Sequence, residues 1–218
     1  MKRVGLLLGS FDPIHIAHIN IATCVLNAEL CDKVIFVVAK HNPWKKKIEP
    51  APFDLRCKMV EAAIKPLGDK AEVSCVEEEF EPPVYSYLPI GKALEAYPDD
   101  EIYIIAGSDT IERIPHWKNF ETHIKDKVGF IEVSRGDKGD SLPLDSEKPF
   151  EIDIITLANG FNKYRSEEVG LNVKVLRIKR MDVSSTIVRN MISKGMNPYP
   201  YVTKEVLEII NDNNLYRQ

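Results

Sequence analysis

Six segments of the chain are apolar almost without interruption: RVGLLLG at 3–9, KVIFVVA at 33–39, EVSCVE at 72–77, EIYIIAG at 101–107, KVGFIEV at 127–133 and VKVLRI at 173–178. A strand with one face in water alternates apolar and polar residues, so unbroken apolarity predicts strands covered on both faces. Helical patterns lie between them. HINIATCVLNAEL places Ile19, Ala22, Val25 and Leu26 on one stripe, and FDLRCKMVEAAI does the same with Leu55, Met59, Val60 and Ala63. IGKALEAY is a shorter example, and TKEVLEIINDNNLY predicts a C-terminal helix with Thr203 as N-cap and Glu205 in its first turn. Strand alternating with helix predicts an α/β fold: a Rossmann-like, doubly wound parallel sheet with a small C-terminal helical part. The polar, turn-rich stretch SRGDKGDSLPLDSEKP at 134–149 predicts a mobile loop.

Composition narrows the class. The 218 residues suffice for one sizeable core. A formal charge of −4 argues against a general nucleic-acid binder, which would carry a basic excess. It is compatible with a small anionic ligand, because a local pocket of Lys, Arg and helix N-termini binds phosphate on an acidic protein. The opening KR is followed by a very short apolar run, and no run approaches a membrane span, so a cytoplasmic protein with no membrane partner is expected. Cys24, Cys31, Cys57 and Cys75 form no C-x-x-C pair; the reading is four reduced thiols on apolar faces, with neither a disulfide framework nor a metal site.

A doubly wound sheet binds ligands at the carboxyl ends of its strands, where the strand order reverses. Residues just after LLLG and just after YIIAG should therefore face one crevice. The first of these places reads GSFDPIHIAH. Gly9 permits a tight turn as the strand ends, and Pro13 favours an extended or first-turn conformation. A helix starting near His15 stacks His15 and His18 on one face of its first turn, where unpaired N–H groups already suit an anion. Either imidazole alone is more simply a satisfied surface or core residue.

The second place reads AGSDTIERIPHW, with Asp109 positioned to cap the next helix and Trp117 either a core anchor or a stacking surface. A third stretch, VSSTIVRN, offers Ser184 or Ser185 as N-cap, and sets Ser185 and Arg189 one helical turn apart. Small hydroxyls, main-chain donors and an arginine at a helix start make a second phosphate cradle. The lysines of HNPWKKK are either a solvated loop or a further anion contact.

Taken together these strings resemble the nucleotidyltransferase superfamily. GSFDPIHIAH is similar to its G-[ST]-F-D-P turn followed by H-x-G-H, with Ala17 in place of the usual Gly. VSSTIVRN is similar to its I-S-S-T-x-[IV]-R signature, with Val183 in place of Ile. AGSD…W resembles the corresponding segment of nicotinate (nicotinamide) mononucleotide adenylyltransferases, and so does the ending YPYVTKEVLEIINDNNLY. Weaker matches are Arg56 and Met59 in an R-x-x-M pattern, YSY at 85–87 and VSRG at 133–136; the stretch 136–164 fits least.

The resemblance implies an enzyme of NAD biosynthesis that joins ATP to a pyridine mononucleotide, nicotinate mononucleotide first and nicotinamide mononucleotide as a second acceptor, and releases pyrophosphate. It implies catalytic roles for His15, His18, Lys45 and Arg189, with Lys46 an alternative to Lys45 in a loop that departs from the family form. ATP would meet Gly9, Ser10, Phe11, Asp109, Ser184, Ser185 and Thr186; the mononucleotide would meet Trp117, Tyr87 and Arg135. Mg2+ would arrive on ATP, with no metal site in the chain itself. The expected division is 1–182 for the nucleotidyltransferase domain and 183–218 for a helical segment completing the ATP site, in one structural unit. A homo-oligomer is left open. The alternatives are a phosphopantetheine adenylyltransferase or cytidylyltransferase of the same superfamily, and a catalytically silent nucleotide sensor.

Overall fold

The computed structural model describes residues 1–40, 49–135, 171 and 173–217, with the side chain of Arg135 outside that set. Lys45 with its neighbours in HNPWKKK, and the expected loop from residue 136 onward, also lie outside the described residues.

Six strands form one sheet: β1 (Arg3–Gly9), β2 (Lys33–Val38), β3 (Ala71–Ser74), β4 (Glu101–Gly107), β5 (Gly129–Arg135) and β6 (Val173–Ile178). Their order is β3-β2-β1-β4-β5-β6, and every neighbouring pair is parallel. The chain moves outward from β1 to β3, returns to β4 beside β1, and moves outward the other way. The reversal lies between β1 and β4, so the crevice opens beyond Gly9 and Gly107.

The unbroken apolar runs follow from this arrangement. Alternate residues feed opposite faces, and both faces are covered. Leu7, Phe36, Ile105 and Ile131 point into one core, beneath the helices α1 (Ile16–Asn27), α2 (Phe53–Ile64), α5 (Ser185–Ser193) and α6 (Lys204–Asp212). Leu6, Ile35, Ile104 and Phe130 point into the other, beneath α3 (Tyr87–Ala96) and the single turn α4 (Ser108–Ile111).

Several expectations are corrected. The third strand stops at Ser74, and the chain enters a short 3-10 turn over Val76–Glu79. That turn buries Glu77, whose carboxylate accepts the Lys40 N–H at 2.8 Å at the end of β2. On α2 the stripe holds Met59, Val60 and Ala63, but Leu55 is only half-buried and Arg56 takes the deep position beside it. The C-terminal helix ends at Asp212, because Asn214 and Tyr216 adopt positive φ values of 50° and 61° and turn the tail back. Thr203 does cap it, accepting from Val206 N–H at 3.3 Å.

The cysteine reading is also corrected. Cys57 on α2 and Cys75 after β3 form a disulfide, their Cα atoms 6.4 Å apart, within ordinary reach for the bond. Packing of α2 across the β3 edge brings them together, a tertiary proximity that spacing does not reveal. Cys24 and Cys31 are free and buried. Among the described residues, no helix is long and apolar enough to cross a membrane.

Candidate active site

The site begins where β1 runs out. Phe11 adopts a positive φ of 45° and folds its ring back over Gly9, where an added methyl would meet ring carbons at 2.9 Å. Glycine is required there by that close approach. The Phe11 ring is buried, set edge-on to His18 at 5.1 Å and tilted against Phe36. Phe11 therefore acts on the site by supporting an imidazole; its ring is core.

Helix α1 opens at Ile16, with His15 as its N-cap and His18 three residues on. The two rings stack, with centroids 3.7 Å apart and planes 25° from parallel. His18 Nδ1 accepts the His15 main-chain N–H at 3.3 Å. A nitrogen that accepts carries no proton, so this contact assigns the Nε2–H tautomer to a neutral His18. The proton then sits on Nε2, the ring nitrogen not used in that contact.

The late serine–arginine turn meets this loop directly. Ser184 caps α5, accepting from Ile187 N–H at 3.2 Å. Ser185 Oγ donates to the Pro13 carbonyl at 2.9 Å, and Arg189 Nη1 donates to the Asp12 carbonyl at 2.6 Å. Arg189 Nη2 reaches Thr186 Oγ1 at 3.2 Å, and Nη1 lies 3.5 Å from Asp12 Oδ2. The serine hydroxyls are thus engaged within the protein. What this helix start offers an anion is its leading main-chain N–H groups and the guanidinium.

Two residues that sequence reasoning left out of the site hold it together. Asp12 is buried, and its Oδ1 accepts from Ala51 N–H at 3.0 Å and from the Tyr216 hydroxyl at 2.8 Å. Arg56 is 1 % exposed and donates to four carbonyls: Ala51 at 2.9 Å, Ser10 at 2.7 Å, Ala39 at 2.6 Å and Lys40 at 3.1 Å. Burial draws the Arg56 pKa down, while Asp12, Tyr216 and Glu77 push it up. Burial raises the Glu77 pKa against the Lys40 N–H and Arg56, and burial together with Asp12 raises that of the Tyr216 phenol. The charges alternate in sign, which is what permits their burial. The R-x-x-M match was the available signal for Arg56; nothing local marked Tyr216.

The remaining candidates gather beyond β4, over the second core. Gly107, not Asp109, is the N-cap of α4; Asp109 sits exposed in its first turn. Ser108 Oγ donates to the buried Glu132 carboxylate at 2.6 Å, which ties that turn to β5. Trp117 is half-buried and packs against the core of this face. Tyr87 opens α3 with its ring 6.4 Å from Tyr85 and 5.1 Å from His123. Lys45 and the Arg135 side chain fall outside the described residues. Among the described residues, no three His, Cys, Asp or Glu side chains stand close enough to hold a metal ion.

Residues 6–191 match the model of a family described as cytidylyltransferase-like. A Clostridium tetani protein named "Probable nicotinate-nucleotide adenylyltransferase" is 31% identical over 217 residues, covering all of both chains. A Flavobacterium johnsoniae protein of the same name is 26% identical over 216 residues, covering 99% of this chain and all of that one. Among solved structures, nicotinic acid mononucleotide adenylyltransferase of Plasmodium falciparum complexed with NaAD superposes with a TM-score of 0.71 at 20% identity, covering 99% of this chain and 98% of that one. At that identity the likeness establishes the shared fold.

Proposed function

The chain belongs to the cytidylyltransferase-like family, among relatives named nicotinate-nucleotide adenylyltransferases, and from that membership and the site geometry we propose that it joins ATP to nicotinate mononucleotide. The products are the dinucleotide and pyrophosphate, a step of NAD biosynthesis. The observation that carries the reading is the meeting of Ser185 and Arg189 with the Asp12–Pro13 turn, directly before the His15–His18 pair. Two anion-binding elements from opposite ends of the sequence thereby flank one crevice at the reversal of the sheet.

Chemistry of this kind asks little covalent work of the protein. An oxygen of the mononucleotide 5′-phosphate attacks the α-phosphorus of ATP, and the bond to the bridging oxygen breaks as pyrophosphate leaves. The attacking phosphate is already ionised near neutral pH, so no general base is needed. Catalysis is positioning plus stabilisation of the charge that spreads over the phosphate oxygens. His18, with its proton on Nε2 because Nδ1 accepts the His15 N–H, donates to the α-phosphate. His15, Arg189, Lys45 and the first N–H groups of α5 hold the β- and γ-phosphates. The nucleotide enters as its magnesium complex, with the ion part of the substrate.

Gly9 and Ser10 line the turn against the triphosphate, and Asp109 meets the nucleotide from the β4 side. Trp117 stacks on the pyridine ring, with Tyr87 and Arg135 bordering the mononucleotide; an electron-rich indole face suits an electron-poor ring. The test supplies ATP and magnesium with either mononucleotide in turn and follows pyrophosphate. Rapid release with nicotinate mononucleotide and slower release with the amide is expected. Equal rates would remove the acid preference, and no release with either would overturn the reading.

A further inference from the structure

The main chain turns back after α6 and delivers Tyr216, two residues from the end of the chain, to the carboxylate of Asp12, 204 positions earlier. We propose that Tyr216 is a positioning residue for Arg189, acting through Asp12. This rests on the assignment of Arg189 to the triphosphate. The two oxygens of Asp12 have different neighbours. Oδ1 is held by the Tyr216 hydroxyl at 2.8 Å and the Ala51 N–H at 3.0 Å, whereas Oδ2 lies 3.5 Å from Arg189 Nη1.

That distance is longer than a charge-assisted hydrogen bond, and the Arg189 contact at 2.6 Å goes to the neutral Asp12 carbonyl instead. A carboxylate free to rotate would turn both oxygens to the guanidinium fork and close a bidentate pair, the geometry arginine favours. Such a pair would spend the arginine on an internal partner and draw it from the crevice. Two donors on Oδ1 hold the carboxylate off that rotamer. The phenol of Tyr216 suits this role because burial and Asp12 raise its pKa, so it stays protonated and able to donate across the working pH range.

A role confined to anchoring the tail would predict lost stability and unchanged affinity. The positioning role predicts a change in one ligand only. Tyr216→Phe keeps the ring and removes the donor, and it should weaken ATP–magnesium binding by about tenfold, the scale of one misplaced charged contact. Affinity for nicotinate mononucleotide should stay close to that of the unaltered chain, while the urea midpoint falls under either role, because a hydrogen bond to a buried carboxylate is lost. Adding Asp12→Asn removes the charge that would capture Arg189, so Tyr216→Phe should then have little further effect on ATP binding. Calorimetric titration of the four chains reads all of these. Unchanged ATP affinity in Tyr216→Phe, or equal losses in the presence and absence of Asp12→Asn, would overturn the inference about Tyr216. Failure of the unaltered chain to bind ATP at all would instead overturn the assignment of the site beneath it.

Discussion

The hydroxyl of Ser185 donates to the carbonyl of Pro13 at 2.9 Å, joining residues 172 apart in sequence. The bond latches the start of α5 to the loop that ends β1, and Arg189 rides on the same helix. Ser185→Ala removes the latch but leaves the Ser184 cap. It should cost about 1 kcal/mol of stability, the net worth of one such bond. If the proposed function holds, the loss of turnover should be larger than that, because a small displacement of α5 moves the guanidinium assigned to the reacting phosphates. Urea unfolding beside steady-state kinetics separates the two. Equal small effects on both would argue that the latch serves the fold alone.

His18 sits at the third position of α1, stacked on His15 and supported edge-on by Phe11. Truncation to alanine leaves the helix start and the core in place and removes the donor that the proposed function assigns to developing charge. Turnover should fall by roughly 100–1,000-fold, as when one such donor is lost elsewhere. The thermal midpoint should move little. His18→Gln, which keeps a donor at a similar reach, should recover part of the rate; a His18→Ala enzyme working near the unaltered rate would end the assignment.

Much of this was legible in the sequence, and the reasons are local. Unbroken runs such as EIYIIAG are strands because both faces are apolar, and β1, β4 and β6 occupy the bounds read from the chain. The imidazole pair and the serine–arginine turn were legible because each element is short and its spacing intact. What escaped depends on distant contacts. Asp12 reads as one letter of a motif, and its role is visible only once Tyr216 and Ala51 reach it. EVSCVE reads as a strand until Glu77 is seen to serve the Lys40 N–H. Cys57 and Cys75 meet through α2 packing at the sheet edge.

Arg56 shows how a single buried charge can shape the loops of the proposed phosphate site. Its guanidinium satisfies the carbonyls of Ser10, Ala39, Lys40 and Ala51, which belong to the loops that follow β1 and β2 and precede α2. Lysine has one nitrogen and cannot span those acceptors, so Arg56→Lys leaves some of them unsatisfied in a dry setting. We expect a loss of about 2–4 kcal/mol, with each orphaned group costing ~1–3 kcal/mol. Urea unfolding of the variant measures it. A variant within roughly 0.5 kcal/mol of the unaltered chain, the spread of ordinary surface changes, would show that water replaces the lost donors.

The two free thiols provide a test of the core around β1 and α1 that is independent of catalysis. Burial pushes Cys24 up to about 11 and Cys31 up to about 12 from an ordinary value of 9.0. Both hold their protons more tightly folded than unfolded, so their contribution to stability is complete below about pH 9 and is lost as pH rises through about 11 for Cys24 and about 12 for Cys31. At pH 8 neither should react with iodoacetamide in the folded protein, because the thiolate is the nucleophile and both side chains are enclosed. Unfolding in urea should release two reactive thiols, and adding a reductant should raise the number to four as the Cys57–Cys75 bond opens. Between pH 8 and about 10.5, the Cys24→Ala/Cys31→Ala variant should lose stability with pH less steeply than the unaltered chain. Prompt alkylation of either cysteine in the folded state at pH 8 would show that this side of the sheet opens far more readily than its packing implies.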